Sequence, residues 1–332
     1  MPAVEIDEAD LRDRALRALR AVDDGMELGE LVPLQGGMSS LTYWATWNPP
    51  GGSDRKVVFK VAPAGLAPTK NRDVLRQARL QRALEGTTVP CPAVIAEDEG
   101  TPPEIPPFYV MTFEAGDCVE PGAGDPVPEE EVRPREEAAA RILADLHAVD
   151  PDAVGLGDEP ETTIEGELER WSTSFDACED DINEGHQAVL DLLTTSVPAG
   201  VPTTLSHGDF RLGNTLSKGT EVTSVIDWEI WSRADPRVDL AWFLLMANPE
   251  PVLQRPVAAG MPSNAELLAV YEGARGESVK DLRWFEGLIR YKQGAVSALL
   301  IRNARRRGKE IMPGVVPNLL EAARLVLTEG QG

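Results

Sequence analysis

The chain has 332 residues, 42% of them hydrophobic, and a formal net charge of −23. Such a length allows two lobes, each with its own core, and the apolar content excludes a wholly disordered protein. The acidity argues against nucleic acid as a main partner, because a phosphate backbone rewards clustered Lys and Arg. It suits solubility, or an acidic cleft that draws a cationic substrate. Cys91, Cys118 and Cys178 are odd in number and widely spaced. They form neither a CxxC pair nor a disulfide framework, so a reducing cytoplasm is expected. The N-terminus carries acids where a signal peptide carries bases. The longest apolar run, Leu240 to Ala247, is too short to span a bilayer.

In chain order, a charged amphipathic helix is expected from about Asp7 to Val22. Alternating and β-branched segments follow at Glu30–Gln35, Leu41–Trp47, Lys56–Ala62, Ala93–Glu97 and Phe108–Phe113. Between them lie turn signals, Gly36-Gly37 among them. One helix, Asn71–Leu84, interrupts the set and buries Val74, Leu75, Ala78, Leu80 and Leu84. The order implies a small antiparallel sheet carrying one helix. The segment from Gly116 to Pro128 reads as a connection, and beyond it the pattern turns helical. Helices are expected at Glu136–Val149, Glu165–Leu193, Val238–Ala247, Asn264–Gly273, Lys280–Arg306 and Val316–Leu327. Short strands intervene at Thr203–Ser206, Thr215–Ser217 and Val222–Ile226.

The chemistry concentrates between His207 and Glu229, in His207-Gly208-Asp209-Phe210-Arg211-Leu212-Gly213-Asn214 and then Ile226-Asp227-Trp228-Glu229. An Asp, an Asn five residues on, and a second Asp at the end of an apolar strand suit phosphoryl transfer. An incoming hydroxyl needs a carboxylate to orient it and take its proton, which suits Asp209. A phosphate chain needs a hard cation such as Mg²⁺, which takes oxygen ligands of the kind Asn214 and Asp227 offer.

Those motifs resemble the aminoglycoside phosphotransferase family, a relative of the protein kinases, whose His-x-Asp-x-x-x-x-Asn signature is met by His207, Asp209 and Asn214. The stretch Asp235-Pro236-Arg237-Val238-Asp239-Leu240-Ala241 is similar as well. The wording is nearest the kinase-like module of some acyl-CoA dehydrogenase family members. The resemblance covers roughly Leu31 to Leu327. It implies an α+β, bilobal protein-kinase-like fold, with a nucleotide lobe over residues 1–115 and a helical lobe over residues 116–332. It also implies ATP and Mg²⁺ as cosubstrate and metal.

By the same resemblance, the stretch from Leu34 to Tyr43 is a nucleotide-covering loop, with Gly36, Gly37, Ser39 and Ser40 admitting phosphate to backbone N–H groups. Neither a GxxxxGK[ST] loop nor a strict GxGxxG occurs. Lys60, an isolated cation in an apolar strand, matches the kinase lysine that meets the α- and β-phosphates. The helix glutamate that usually tethers it is replaced by Gln77, which can accept a hydrogen bond but supplies no charge. Met111 and Phe113 fall where the family lines the adenine site.

His207 reads as scaffolding, His147 as a capping or packing residue, and His186 as exposed. Arg211 stands between a phosphate-binding role and a structural ion pair. Asp235 reads as a helix cap, and Asp239 as a brace for the catalytic loop. The cluster Arg302, Arg305, Arg306, Arg307 and Lys309 suits a helix C-terminus or an anionic docking site. The acceptor is a small-molecule hydroxyl: a hydroxylated metabolite such as a hydroxyacyl-CoA, or an aminoglycoside. A nucleotide-binding regulator without turnover is the remaining reading.

Overall fold

Asp7 accepts hydrogen bonds from the backbone of Ala9 and Asp10 and so caps helix α1, Glu8–Val22. The computed structural model describes residues 6–34, 39–49, 55–123, 127–249, 253 and 255–329. After α1 come β1 (Glu27–Leu28), β2 (Val32–Leu34), β3 (Leu41–Asn48) and β4 (Arg55–Val61). Helix α2 (Val74–Leu84) follows, then β5 (Val94–Asp98) and β6 (Phe108–Thr112). These strands form one antiparallel sheet in the order β1-β3-β4-β6-β5, with β2 also paired to β3.

Alternation along β4 sends Val57, Phe59 and Val61 to one face, where Leu11, Ala15 and Leu19 of α1 cover them. Val58 belongs to the other face, with Val74 and Ala78 of α2 and Tyr109 and Met111 of β6. The sheet thus carries a helix on each face, not one helix alone. The amphipathic N-terminal segment supplies the second cover.

The helical part opens with α3 (Glu129–Ala148), then β7 (Glu161–Thr162), α4 (Ile164–Asp176), α5 (Asp180–Asn183) and α6 (His186–Thr195). Helix α3 begins seven residues before the expected Glu136. Pro134 reads as a breaker, yet the helix runs through it, and three glutamates in the first turn favour the earlier start. The single helix expected over Glu165–Leu193 is instead three. Gly185, at φ 86°, turns the chain before α6, so that Ile182, Val189 and Leu193 can pack with Trp171 and Phe175. That turn also buries His186, whose ring stacks on Phe175 at 5.0 Å and meets the Tyr291 hydroxyl at 3.3 Å. The expectation of an exposed His186 fails because an isolated helix reading missed the fold-back.

Strand β8 (Thr204–Ser206) leads into β9 (Thr215–Lys218) and β10 (Glu221–Val225), which form a hairpin. Then come β11 (Ser232–Ala234), α7 (Pro236–Ala247), α8 (Asn264–Arg275), α9 (Leu282–Arg305) and α10 (Val315–Thr328). β11 joins β7 and β8 in a small second sheet, two of whose strands are too short to show in the sequence pattern. One helical core gathers Phe175, Phe285, Leu288, Tyr291 and Leu319. Another gathers Leu143, Phe210, Trp228 and Phe243, so the segment from His207 to Glu229 is itself anchored in a core. Each fully buried Phe or Leu there contributes about 2 kcal/mol of burial. No helix among the described residues is long and apolar enough to cross a membrane.

Candidate active site

The end of β8 delivers His207 into a bed of aromatic rings, 4.5 Å from Trp228 and 5.9 Å from Phe210. His207 Nδ1 accepts from the backbone N–H of Asp209 at 3.3 Å, which leaves Nε2 to donate to the Ile226 carbonyl at 2.9 Å. The ring therefore ties the Asp209 loop to the strand end before Asp227. Scaffolding is the role its contacts describe.

Gly208 adopts φ 85°, and a Cβ there would lie 2.7 Å from the Ile230 carbonyl oxygen. Asp239, buried in the first turn of α7, accepts from the backbone N–H groups of His207 (2.6 Å) and Gly208 (2.9 Å). Burial alone would raise its pKa, but His147, His207 and the backbone donors hold it below the usual carboxylate range. His147 reaches toward Asp239 at 3.7 Å and is fixed by the Tyr271 hydroxyl at 2.7 Å. Asp235 caps α7 through the Arg237 N–H and pairs with the Arg237 guanidinium at 2.7 Å.

Asp209 itself is held from three sides. Its Oδ1 accepts from the Trp242 indole at 2.9 Å, its Oδ2 from the Asn214 amide at 2.8 Å, and Arg211 Nε stands 3.4 Å from Oδ1. Asn214 is buried, and its backbone carbonyl accepts from Ile226 N–H at 2.9 Å. The β9–β10 hairpin thereby brings the Asn and the second Asp of the motif to one place. Asp227 sits in the left-handed region at φ 66°, an uncommon conformation that short polar residues tolerate best. Its Oδ1 faces Lys60 Nζ at 3.4 Å.

Glu120 is the residue that the sequence did not reveal. One of its oxygens meets Arg211 at 3.1 Å and the Gly213 N–H at 2.7 Å, and the other meets Arg255 at 3.1 Å. Burial would lower the Arg211 pKa, but Asp209 and Glu120 raise it. The structure thus shows Arg211 in an ion-pair network. Trp242 was equally unforeseen, since it falls within a helix whose apolar pattern reads as core.

From the N-terminal sheet, Lys60 faces Asp227 and not Gln77. Gln77 is buried, its Nε2 donates to the Asn71 carbonyl at 3.4 Å, and its Oε1 has no partner among the described residues. Ser39 donates to Glu229, a contact that joins the N-terminal part to the His207–Glu229 segment. Glu229 is raised in pKa by burial and by the nearby Asp227 and Asp209, against the opposing effect of Ser39 and Lys60. Ser40 Oγ is buried without a partner among the described residues. Gly36 and Gly37 lie outside the described residues. Met111 is buried on the α2 side of the sheet, and Phe113 is exposed, 5.2 Å from Lys56 Nζ. No group of three or more His, Cys, Asp or Glu among the described residues is arranged to hold a metal.

The chain is similar to known proteins. Mouse acyl-CoA dehydrogenase family member 10 is 28% identical over 258 residues, which is 73% of this chain and 23% of that protein. The chain therefore spans under a quarter of that relative's length. A Ralstonia eutropha crystal structure, provisionally assigned as an aminoglycoside phosphotransferase, superposes with a TM-score of 0.72 at 22% identity, covering 95% of each chain. A thermostable mutant of aminoglycoside phosphotransferase APH(4)-Ia, in ternary complex with ADP and hygromycin B, gives 0.59 at 15% identity, over 92% of this chain and 96% of that one. The phosphotransferase enzyme family (APH) matches residues 30–276. The chain belongs to that family.

Proposed function

We propose that the protein transfers the γ-phosphoryl group of ATP to a hydroxyl of a small molecule, with Asp209 as the base. The observation that carries this reading is the fixing of Asp209 by Trp242 and Asn214, at 2.9 and 2.8 Å. A carboxylate oriented by donors on one side is pre-set to receive a proton on the other. The acceptor oxygen would lose its proton to Asp209 and bond to the γ-phosphorus. The bond from that phosphorus to the β–γ bridging oxygen would break, and ADP would leave.

Asn214 and Asp227 are the residues that would hold Mg²⁺. They offer hard oxygens, and Mg²⁺ commonly takes only one or two protein carboxylates and fills its shell with phosphate and water. Bound there, the metal would neutralise phosphate charge. Lys60 would meet the α- and β-phosphates, and Gly36, Gly37, Ser39 and Ser40 would cover them. The orphaned Ser40 hydroxyl supports that assignment. Met111 and Phe113 share the sheet face of Lys60 and would line the adenine, while Gln77 would contribute position without charge. On this reading the chain divides near residue 115 into a nucleotide lobe and an acceptor lobe. The unpaired Cys91, Cys118 and Cys178 support a reducing, cytoplasmic setting.

The acceptor we favour is a hydroxylated metabolite, such as a hydroxyacyl thioester. The similarity to acyl-CoA dehydrogenase family member 10 supports it. An aminoglycoside is the competing acceptor, supported by the chain's acidity and by the hygromycin B complex of its structural neighbour. An ADP-release screen with Mg-ATP across hydroxyacyl-CoA esters, free hydroxy acids and aminoglycosides tests the choice. Turnover of kanamycin or hygromycin B with none of the metabolites would sink the favoured acceptor.

A further inference from the structure

Beside the catalytic segment lies a cleft of about 470 Å³, walled by Gly208, by Glu229–Ser232 and by α4, with Lys70 and Asn71 reaching in from the sheet-bearing half. Gly208 precedes Asp209, so the cleft opens next to the loop that carries the proposed base. Four cations and four acids line it, and their partners decide its charge.

The acids are engaged elsewhere. Glu161 pairs with Arg233 at 3.0 Å, Asp235 with Arg237 at 2.7 Å, and Glu229 accepts from Ser39. Glu167 accepts from the Trp171 indole at 2.8 Å and stands 3.9 Å from Arg170. Of the cations, Arg76 is paired with Glu159 at 2.8 Å and lies over the Trp231 ring, and Arg170 has Glu167. Lys292 and Lys70 remain. Neither has an ion-pair partner among the described residues, and Lys292 stands 5.6 Å from the Trp171 ring centre. Two ammonium groups without an ion-pair partner, against the single carboxylate of Glu229 bonded only to a hydroxyl, are conspicuous on a chain of net charge −23. The overall field repels anions at long range, so a local pair of cations acts as a filter within a Debye length.

We infer that this cleft receives the phosphate acceptor and selects one that carries an anionic group, a carboxylate or a phosphate, through Lys292 and Lys70. Ile164 and Ile230, which line the same cleft, would hold the apolar part of the same molecule. This inference rests on the phosphotransferase reading for the word acceptor, but the cleft's preference for anions can be measured without turnover.

The test uses the full chain saturated with Mg-ADP, which blocks the nucleotide site. Binding of 3-hydroxybutyrate, glycerol 3-phosphate and the neutral 3-hydroxybutyramide is followed by saturation-transfer NMR, in the wild type and in Lys292→Met and Lys70→Met. At least one anion should bind more tightly than the amide, and Lys292→Met should weaken it about tenfold, the effect of one charge-assisted contact. The amide should be indifferent to the substitution. Preference for the carboxylate over the phosphate, or the reverse, names the group. Anions that bind no better than the amide, or equally well to Lys292→Met, overturn the inference. ADP release measured in parallel separates the two readings. Turnover without charge preference removes the cleft assignment alone, and charge-selective binding without ADP release removes the kinase assignment alone.

Discussion

Trp242 donates its indole N–H to Asp209 Oδ1 at 2.9 Å, so the proposed base is oriented by a helix thirty-three residues downstream. Trp242→Phe keeps most of the packing and removes the donor. We expect kcat for phosphate transfer to fall roughly tenfold, since one hydrogen bond to a charged group contributes about 1.5 kcal/mol. The KM for ATP should be unchanged in steady-state ADP-release kinetics. An equal loss in both parameters would assign Trp242 to general packing.

Glu120 links the Gly213 N–H, Arg211 and Arg255, and so fixes the loop between Asp209 and Asn214 from outside the motif. Glu120→Gln keeps the shape and removes the charge. Turnover should drop about tenfold while the thermal midpoint moves by only a few degrees. A variant as active as the wild type would show that Arg211 needs no anchor.

Glu136 is fully buried on α3, with one carboxylate oxygen lacking a partner among the described residues, and burial pushes its pKa up to about 8. The sign follows from proton counting. Between 4.5 and about 8 the folded state holds a proton that the unfolded state has released, so stability falls as pH rises through that window. The slope is at most about 1.4 kcal/mol per pH unit. Glu136→Gln should flatten it, gaining on the wild type in urea denaturation as pH goes from 6 to 9. Parallel curves for the two proteins would contradict the protonated assignment.

Asp239 behaves in the opposite sense. Its folded pKa lies below the ordinary 3.8, so its contribution is present above that value and is lost as pH falls through the folded pKa. Asp239→Asn should cost about 3 kcal/mol at pH 7, the scale for breaking a buried charged network. The gap from the wild type should narrow in acid. A constant gap in denaturation experiments from pH 7 to pH 3 would remove the carboxylate from the account.

The legible parts of this protein are those whose chemistry is contiguous in sequence. His207, Asp209 and Asn214 lie within eight residues, and Asp227 ends the next strand, so spacing alone marks them. The sheet was legible because alternation survives along the half-buried β3, while β4 and β6, buried on both faces, show as short apolar runs rich in β-branched and aromatic residues. Glu120 was not, because an acid in a Gly- and Pro-rich connection looks the same whether it faces water or grips Arg211. Nor was the break of the helix over Glu165–Leu193. Helical periodicity runs on through residues 177–185, and only the need of Ile182 and Val189 to reach the Phe175 core turns the chain there. The partner of Lys60 escaped for the same reason. Asp227 lies 167 residues away, and no local signal says that it, and not Gln77, stands opposite the ammonium.

The most direct measurement compares Asp209→Ala with the wild type in single-turnover phosphate transfer, with Mg-ATP binding recorded by calorimetry on the same samples. The account predicts a rate lowered by roughly 10²-fold or more, the scale of a positioned base, with ATP affinity within about twofold of the wild type. An unchanged transfer rate with intact binding would contradict it.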